Sequence, residues 1–251
     1  MPSVPAVKRA LGVLELLVHE DEPLSLSAIA QRTEIPVASC HAIMHTLLEE
    51  GYVVRRSEGR AQYWEPTLAL YHLGATLVSR FGIRPVALPH LRELAADLGV
   101  PAHLGVLVGR DVMYLEKAAA PSFVQFDTFA GKRSPFHHTA LGRAIVAFLP
   151  EQERELLLPG SGEGAELARV LADVRRDGYA REDGEEAAGI GCVAAPIFGA
   201  DGAVIASAGI TGFSRELFPG DAVPAAAAVT RAAAAISADL GHPAPTPAAA
   251  G

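Results

Sequence analysis

Cysteine is scarce: the 251 residues contain two thiols, Cys40 and Cys192. A pair cannot build the disulfide framework of a small secreted domain or the four-ligand site of a zinc ribbon, so a reducing cytoplasm is the expected setting. Aromatic residues make up only 6% and acids outnumber cations, giving a formal net charge of −8. That balance excludes a protein that coats nucleic acid without regard to sequence, yet leaves room for a reader whose positive charge sits on one face. No stretch of about 18 apolar residues escapes charge or proline, so no ordinary transmembrane helix is expected. The first residues carry no basic segment followed by a long apolar run, and no secretory signal is read there. Repeats and the Walker and Rossmann glycine patterns are absent. What is present is a chain that is 50% hydrophobic, long enough for two domains with a sizeable core.

The N-terminal third reads as three helices and a hairpin. Ala6 to Val18 places Val7, Leu11, Leu14 and Leu17/Val18 on one helical face. Ser27 is the expected N-cap of a short helix carrying Ile29 and Ala30. Pro36 suits the first position of a third helix that buries Ile43, Leu47 and Leu48 and stops at Gly51. Two β-prone runs, 52–55 and 61–64, flank Ser57-Glu58-Gly59-Arg60. Residues 1–66 therefore have the layout of a winged helix-turn-helix domain.

An apolar helix over 67–81, with Leu70, Leu73, Leu77 and Val78 at helical spacing, is read as a linker and dimerisation element. Pro85 and Pro89 are expected to separate it from a helix at Leu91–Leu98. From Val100 the texture changes. Ala102–Val108 and Val112–Ala118 flank a turn at Gly109-Arg110-Asp111, Phe123–Phe129 is a third strand candidate, and Thr139 starts a helix reaching Phe148. Further helices are read at Pro150–Leu157 and Glu166–Asp177. Cys192–Phe198 and Ala203–Thr211 form a second hairpin, and Asp221–Leu240 is a closing helix. The expected fold class is α+β, an antiparallel sheet with helices packed on it over 82–241, followed by a disordered tail at 242–251.

The first domain offers a surface for double-stranded operator DNA. A recognition helix enters the major groove by its N-terminal end, here Val37, Ala38, Ser39 and His41. Lys8 and Arg9 in the first helix, Arg32 at the end of the second, and Arg55, Arg56 and Arg60 on the hairpin are the candidate phosphate contacts. Against this, residues 1–66 hold six Lys/Arg and nine acids, a sum unusual for a DNA-binding module. Weak binding by one domain, rescued by pairing two on one operator, is the expectation.

Several blocks in order are similar to one known family. Arg9-Ala10-Leu11, Leu26-Ser27-Ala28-Ile29-Ala30, Ile35-Pro36, Ser39-Cys40-His41 and Leu47 to Gly51-Tyr52-Val53 resemble the IclR-type bacterial transcriptional regulators. So do the run from Gly131-Lys132-Arg133-Ser134-Pro135-Phe136-His137-His138-Thr139 to Ala144, the segment Glu182-Asp183-Gly184-Glu185-Glu186, the stretch Gly189 to Ile197, and Gly209-Ile210-Thr211-Gly212. The resemblance spans about Val4 to Leu240. It departs at Ala42, where the family often carries Arg after the helix histidine. The resemblance implies a ligand-responsive DNA binder working as a homodimer or homotetramer, with a GAF/PAS-like effector domain sensing small organic acids. A repressor of a catabolic or metabolic operon is the expected role, with no cofactor and no membrane partner.

For the effector site, Thr139 is an expected N-cap, and the first amides of its helix would attract a carboxylate. By resemblance, ligand contacts fall on Phe123, Phe126, Ala140, Leu141, Glu182, Ile190, Cys192, Gly209 and Thr211. Two phenylalanines in the wall favour a flat aromatic acid, whereas plain core is the alternative reading of that cluster. Metal sites at His41/His45, or at His137-His138 with His103, lack a completing carboxylate. Two other functions stay open on sequence grounds. One is an enzyme using Cys192 with His137 or His138 and Glu182 or Glu185; the other is a helix-turn-helix module that only mediates assembly.

Overall fold

The computed structural model describes residues 4–59, 61–80, 82–120, 126–158, 162–220 and 223–243. The chain divides into two compact units, Met1–Phe81 and Gly82–Gly251.

The first unit opens with α1 (Pro5–His19), β1 (Leu24–Ser25), α2 (Leu26–Arg32) and α3 (Val37–Glu49), then the hairpin β2 (Val53–Glu58) and β3 (Ala61–Pro66), and ends in α4 (Ala69–Arg80). The three strands form one sheet in the order β1-β3-β2. Its core is Val13, Leu17, Ile29, Ile35, Cys40, Met44, Leu47, Val53 and Trp64. Several local expectations change. The cap of α2 is Ser25, whose hydroxyl accepts the Ala28 N–H at 3.3 Å, because Leu24–Ser25 is held extended against Tyr63 and Trp64. Pro36 stands just outside α3 as its N-cap. The inward face of α3 is Cys40, Met44 and Leu47, with Ile43 and Leu48 only half-buried.

In α1 the buried face is Val13 and Leu17, while Val7, Leu11 and Val18 are exposed. The apolar band of this helix is wider than a three-helix domain can cover. Leu68, Tyr71 and Leu73, at the start of α4, are exposed as well; the side chains of Leu77 and Val78 lie outside the described residues.

The second unit begins with α5 (Ile83–Leu98), which runs through Pro85 and Pro89 instead of breaking. Pro85 occupies the first turn, where its missing N–H costs nothing. Pro89 removes one hydrogen bond, offset by burial of Ile83, Ala87, Leu91, Leu94 and Ala95 along one face. The hairpin β4 (Ala102–Val108) and β5 (Asp111–Ala118) follows, then β6 (Arg133–Pro135), a 3-10 turn at Phe136–His138, α6 (Ala140–Val146), α7 (Glu151–Leu157) and α8 (Gly162–Asp177). The chain closes with β7 (Ala180–Asp183), β8 (Ile190–Phe198), β9 (Val204–Phe213), α9 (Ser214–Leu217) and α10 (Ala226–Asp239).

Six strands make one antiparallel sheet in the order β6-β5-β4-β9-β8-β7. Residues 126–129, expected as strand, are irregular, and 121–125 lie outside the described residues. The strand beside β5 is Arg133–Pro135. The helix α6 packs on one sheet face, where Ser207 donates to the Leu141 carbonyl at 2.9 Å. Ala206, Ala208 and Ile210, which alternate with the α6-facing residues of β9, are buried too, so both sheet faces are covered. His242, expected in the tail, is instead held in place: its ring stacks on Phe198 at 5.2 Å and its Nδ1 lies 3.2 Å from the Gly199 carbonyl. Residues 244–251 lie outside the described residues.

Candidate functional site

In the first unit, α2 and α3 form the helix-turn-helix, joined through Glu34, whose positive φ of 55° makes the sharp turn. Val37, Ala38 and His41 are exposed at the start of α3 and Ser39 is half-buried, so this end presents itself to solvent. Lys8 and Arg9 are exposed on α1. Three further cations are engaged internally. Arg32 pairs with Glu20, Arg56 with Glu65 at 2.6 Å, and the Arg55 guanidinium lies 5.8 Å from the Trp64 ring. These ion pairs are exposed and therefore weak, so phosphate can displace the carboxylates. Arg60 lies outside the described residues. His41 and His45 rings are 6.4 Å apart, and His45 faces Glu49 at 3.3 Å. Among the described residues no group of three or more His, Cys, Asp or Glu could hold a metal ion.

In the second unit a small chamber lies between α6 and the sheet. Its wall is formed by His103 and Tyr114 from the first hairpin, Thr139, Ala140 and Leu141 from the start of α6, and Cys192, Val193, Gly209, Ile210 and Thr211 from β8 and β9. The space between these residues is too narrow to seat a water molecule. Two glycines explain how the backbone comes so close. A Cβ on Gly142 would stand 2.4 Å from the Phe136 Cα and carbonyl oxygen, and one on Gly209 would meet the Val193 carbonyl at 2.7 Å.

Six of the residues that the sequence singled out meet here: Thr139, Ala140, Leu141, Cys192, Gly209 and Thr211. Thr139 caps α6, as its spacing predicts, but its hydroxyl is thereby occupied by the Gly142 N–H at 3.0 Å. Of the first-turn amides, Ala140 and Leu141 keep no intrahelical acceptor. Phe126 stands elsewhere, edge-to-face on Phe213 at 5.9 Å, and Phe123 lies outside the described residues. Ile190 is half-buried at the start of β8. Sequence reasoning weighed His103 only as a metal ligand and missed Tyr114.

Glu182 lies on β7, directly opposite Cys192, and not in a loop. It is 1% exposed. One carboxyl oxygen accepts the backbone N–H groups of Glu185 and of Glu186 (3.1 Å), while Oε2 has no hydrogen-bond partner. Burial raises its pKa, against the lowering effect of those N–H groups and the Cys192 thiol. Around it, Arg143 binds the His137 and Arg181 carbonyls and the Glu185 carboxylate. Glu186 accepts the Ser134 hydroxyl at 2.8 Å and hydrogen-bonds Tyr114.

Burial holds the His103 imidazole down to about 3, with Lys117 and Lys132 pushing the same way, so the ring is neutral at physiological pH. Its Nε2 lies 2.8 Å from the Thr128 hydroxyl and its ring edges onto Tyr114 at 5.4 Å. The chamber is thus lined by neutral groups. Burial also pushes the Cys192 thiol up, with Glu182 and Glu186 adding to it and the Thr211 contact opposing. A nucleophilic cysteine needs the opposite shift, so the enzyme reading of Cys192 finds no support in its surroundings.

An exposed recognition helix on a winged domain, followed by a sensor with an antiparallel sheet and an internal chamber, defines the class of a one-component transcriptional regulator. Residues 6–57 match the IclR helix-turn-helix domain and residues 75–238 the bacterial transcriptional regulator IclR C-terminal domain. The chain belongs to the IclR family of transcriptional regulators. It is 28% identical to the HTH-type transcriptional regulator XynR of Escherichia coli (strain K12), across 97% of this chain and 100% of that one. The IclR of Thermotoga maritima superposes with a TM-score of 0.72 at 28% identity, over 95% of this chain and 99% of the other. An IclR homolog from Microbacterium hydrocarbonoxydans, solved with 4-hydroxybenzoate, shares the fold with a TM-score of 0.78 at 24% identity, over 94% and 98%. Its relatives by name are regulators, not enzymes.

Proposed function

We propose that the chain is a cytoplasmic repressor of a catabolic operon that binds double-stranded operator DNA as a homodimer or homotetramer and responds to a small organic acid. The observation that carries this reading is the pairing, in one chain, of an exposed α3 N-terminus with a neutral internal chamber assembled from five separate elements. In this reading Ser39 and His41 touch base edges, Val37 and Ala38 lie against the groove floor, and Lys8, Arg9, Arg32, Arg55, Arg56 and Arg60 meet phosphates. The exposed apolar residues Val7, Leu11 and Val18 of α1 and Tyr71 and Leu73 of α4 support self-association.

The effector's carboxylate would be held by the Ala140 and Leu141 amides, with hydroxyls such as Thr211 beside it and the Leu141 side chain against its apolar part. The ring partners of an aromatic acid would include Tyr114 and His103, with Phe126 standing on Phe213 instead. Beside the chamber, Glu182 offers an unsatisfied acceptor, which favours an acid that also carries a hydroxyl. The 4-hydroxybenzoate held by the Microbacterium homolog is an acid of that type. Ligand changes DNA affinity only through unequal affinity for two arrangements of the linked subunits. The domain limits that go with this reading are 1–66 for the DNA reader, 67–81 for the linker and 82–241 for the sensor.

Fluorescence anisotropy with promoter fragments from upstream of its own coding region tests both halves. Binding at modest salt, altered by 4-hydroxybenzoate or benzoate, is the expected result. Failure to bind any fragment overturns the DNA reading; a response confined to pyruvate and glyoxylate overturns the aromatic effector.

A further inference from the structure

Strand β8 outlasts its neighbour. β7 pairs with it from Gly191 to Ala194, whereas β8 continues beside β9 as far as Phe198. A free strand edge ordinarily offers ladder donors to an added strand. Here the edge is blunted: Pro196 has no N–H, and the Phe198 N–H donates to the Ser237 hydroxyl at 3.0 Å. What remains beyond the end of β7 is a groove lined by side chains and unsuited to strand addition.

The groove measures about 520 Å³, within the range of roughly 300–1,000 Å³ usual for small-molecule sites. Rings form its floor. Phe148 and Phe198 meet edge-to-face at 5.4 Å, and His242 stacks on Phe198. One face of α10, through Thr230, Ala234 and Ala238, makes a wall of small side chains, and the end of α8 makes the rim. At that rim Arg176 is ion-paired with both Asp173 and Asp177. Its neighbour Arg175 also lines the groove and has no ion pair among the described residues. Asp177 lines the same rim, and a slot with aromatic surface, an apolar wall and one guanidinium without an ion pair, that of Arg175, matches a flat ligand carrying one negative charge.

We propose that this groove is a second small-molecule site, taking a monoanionic aromatic acid of one or two rings with its carboxylate on Arg175. It shares no lining residue with the chamber under α6. The assignment stands apart from the effector reading and survives if that reading fails.

Titration calorimetry of the full-length protein with 2-naphthoate tests it, alongside Arg175→Gln and Ala234→Phe. Both positions are exposed and neither belongs to the chamber, and thermal melting verifies that each variant is folded. Arg175→Gln should weaken 2-naphthoate about tenfold, the size of one charge-assisted hydrogen bond, while leaving neutral 2-naphthol unchanged. Ala234→Phe, which fills the groove, should remove this binding event for both probes. No binding of 2-naphthoate at millimolar concentration, or binding that neither substitution alters, overturns the proposal.

Discussion

The two units treat polarity in opposite ways. Every buried polar or charged side chain among the described residues, namely His103, Ser134, Thr139, Arg143, Glu182, Ser207, Thr211 and Ser237, belongs to the second unit. The core of the first is apolar throughout, and those of its candidate DNA contacts that are described stand at the surface or half-buried. The difference follows from what each part meets. A surface for a polyanion keeps its cations hydrated until DNA displaces water and counterions. A chamber must desolvate its polar groups beforehand, and each then needs a partner or destabilises the fold. Substitutions should therefore separate folding from function in the head and entangle them in the sensor.

The largest effect is expected where the sensor is tightest. Gly142→Ala forces a Cβ into the Phe136 backbone, and a loss of about 3 kcal/mol is expected for such overpacking. Calorimetry should register it as a drop of roughly 6–12 °C in the sensor's melting temperature. A wild-type melting curve would show that α6 can move off the turn before it.

Next comes pH. Folding lowers His103 from 6.5 to about 3, so below about pH 6.5 the unfolded chain takes up a proton that the folded chain refuses. Stability is complete above that pH and falls as the pH drops towards 3, by up to about 1.4 kcal/mol per unit. Urea midpoints at pH 7 and pH 5 should converge in His103→Gln relative to wild type. Equal acid sensitivity in the two proteins would mean that the ring is not held neutral by burial.

In the head, Arg9→Ala should leave melting unchanged and lower the slope of log affinity against log salt by about 0.9, one phosphate contact. An unaltered slope removes Arg9 from the interface. The smallest effect mirrors the first. Gly12 lies inside α1 with nothing within 4 Å of a Cβ, so Gly12→Ala should stabilise the head by about 0.5–1 kcal/mol in chemical denaturation.

The sequence disclosed periodicity and punctuation well. The hairpin at Gly109-Arg110-Asp111, the stop at Gly51 and the Thr139 cap depend on neighbouring residues only, and each is found in the structure. What failed depended on distant partners. Ser25 in place of Ser27 caps α2 because β3 holds it extended. Pro89 stays inside α5 because a buried face sustains the helix. The short strands Arg133–Pro135 and Ala180–Asp183 exist only through pairing across the sheet. The chamber was half legible: resemblance supplied the residues on α6, β8 and β9, while His103 and Tyr114 needed the register of β4 on β5 and β9 to come into view.

The shut chamber also bears on timing. A molecule cannot diffuse into a room without space for water; its walls must part first. At high concentration the rate of filling then levels off at the rate of parting. If the proposed effector binds there, the rate of opening sets the fastest metabolite change that the protein can follow.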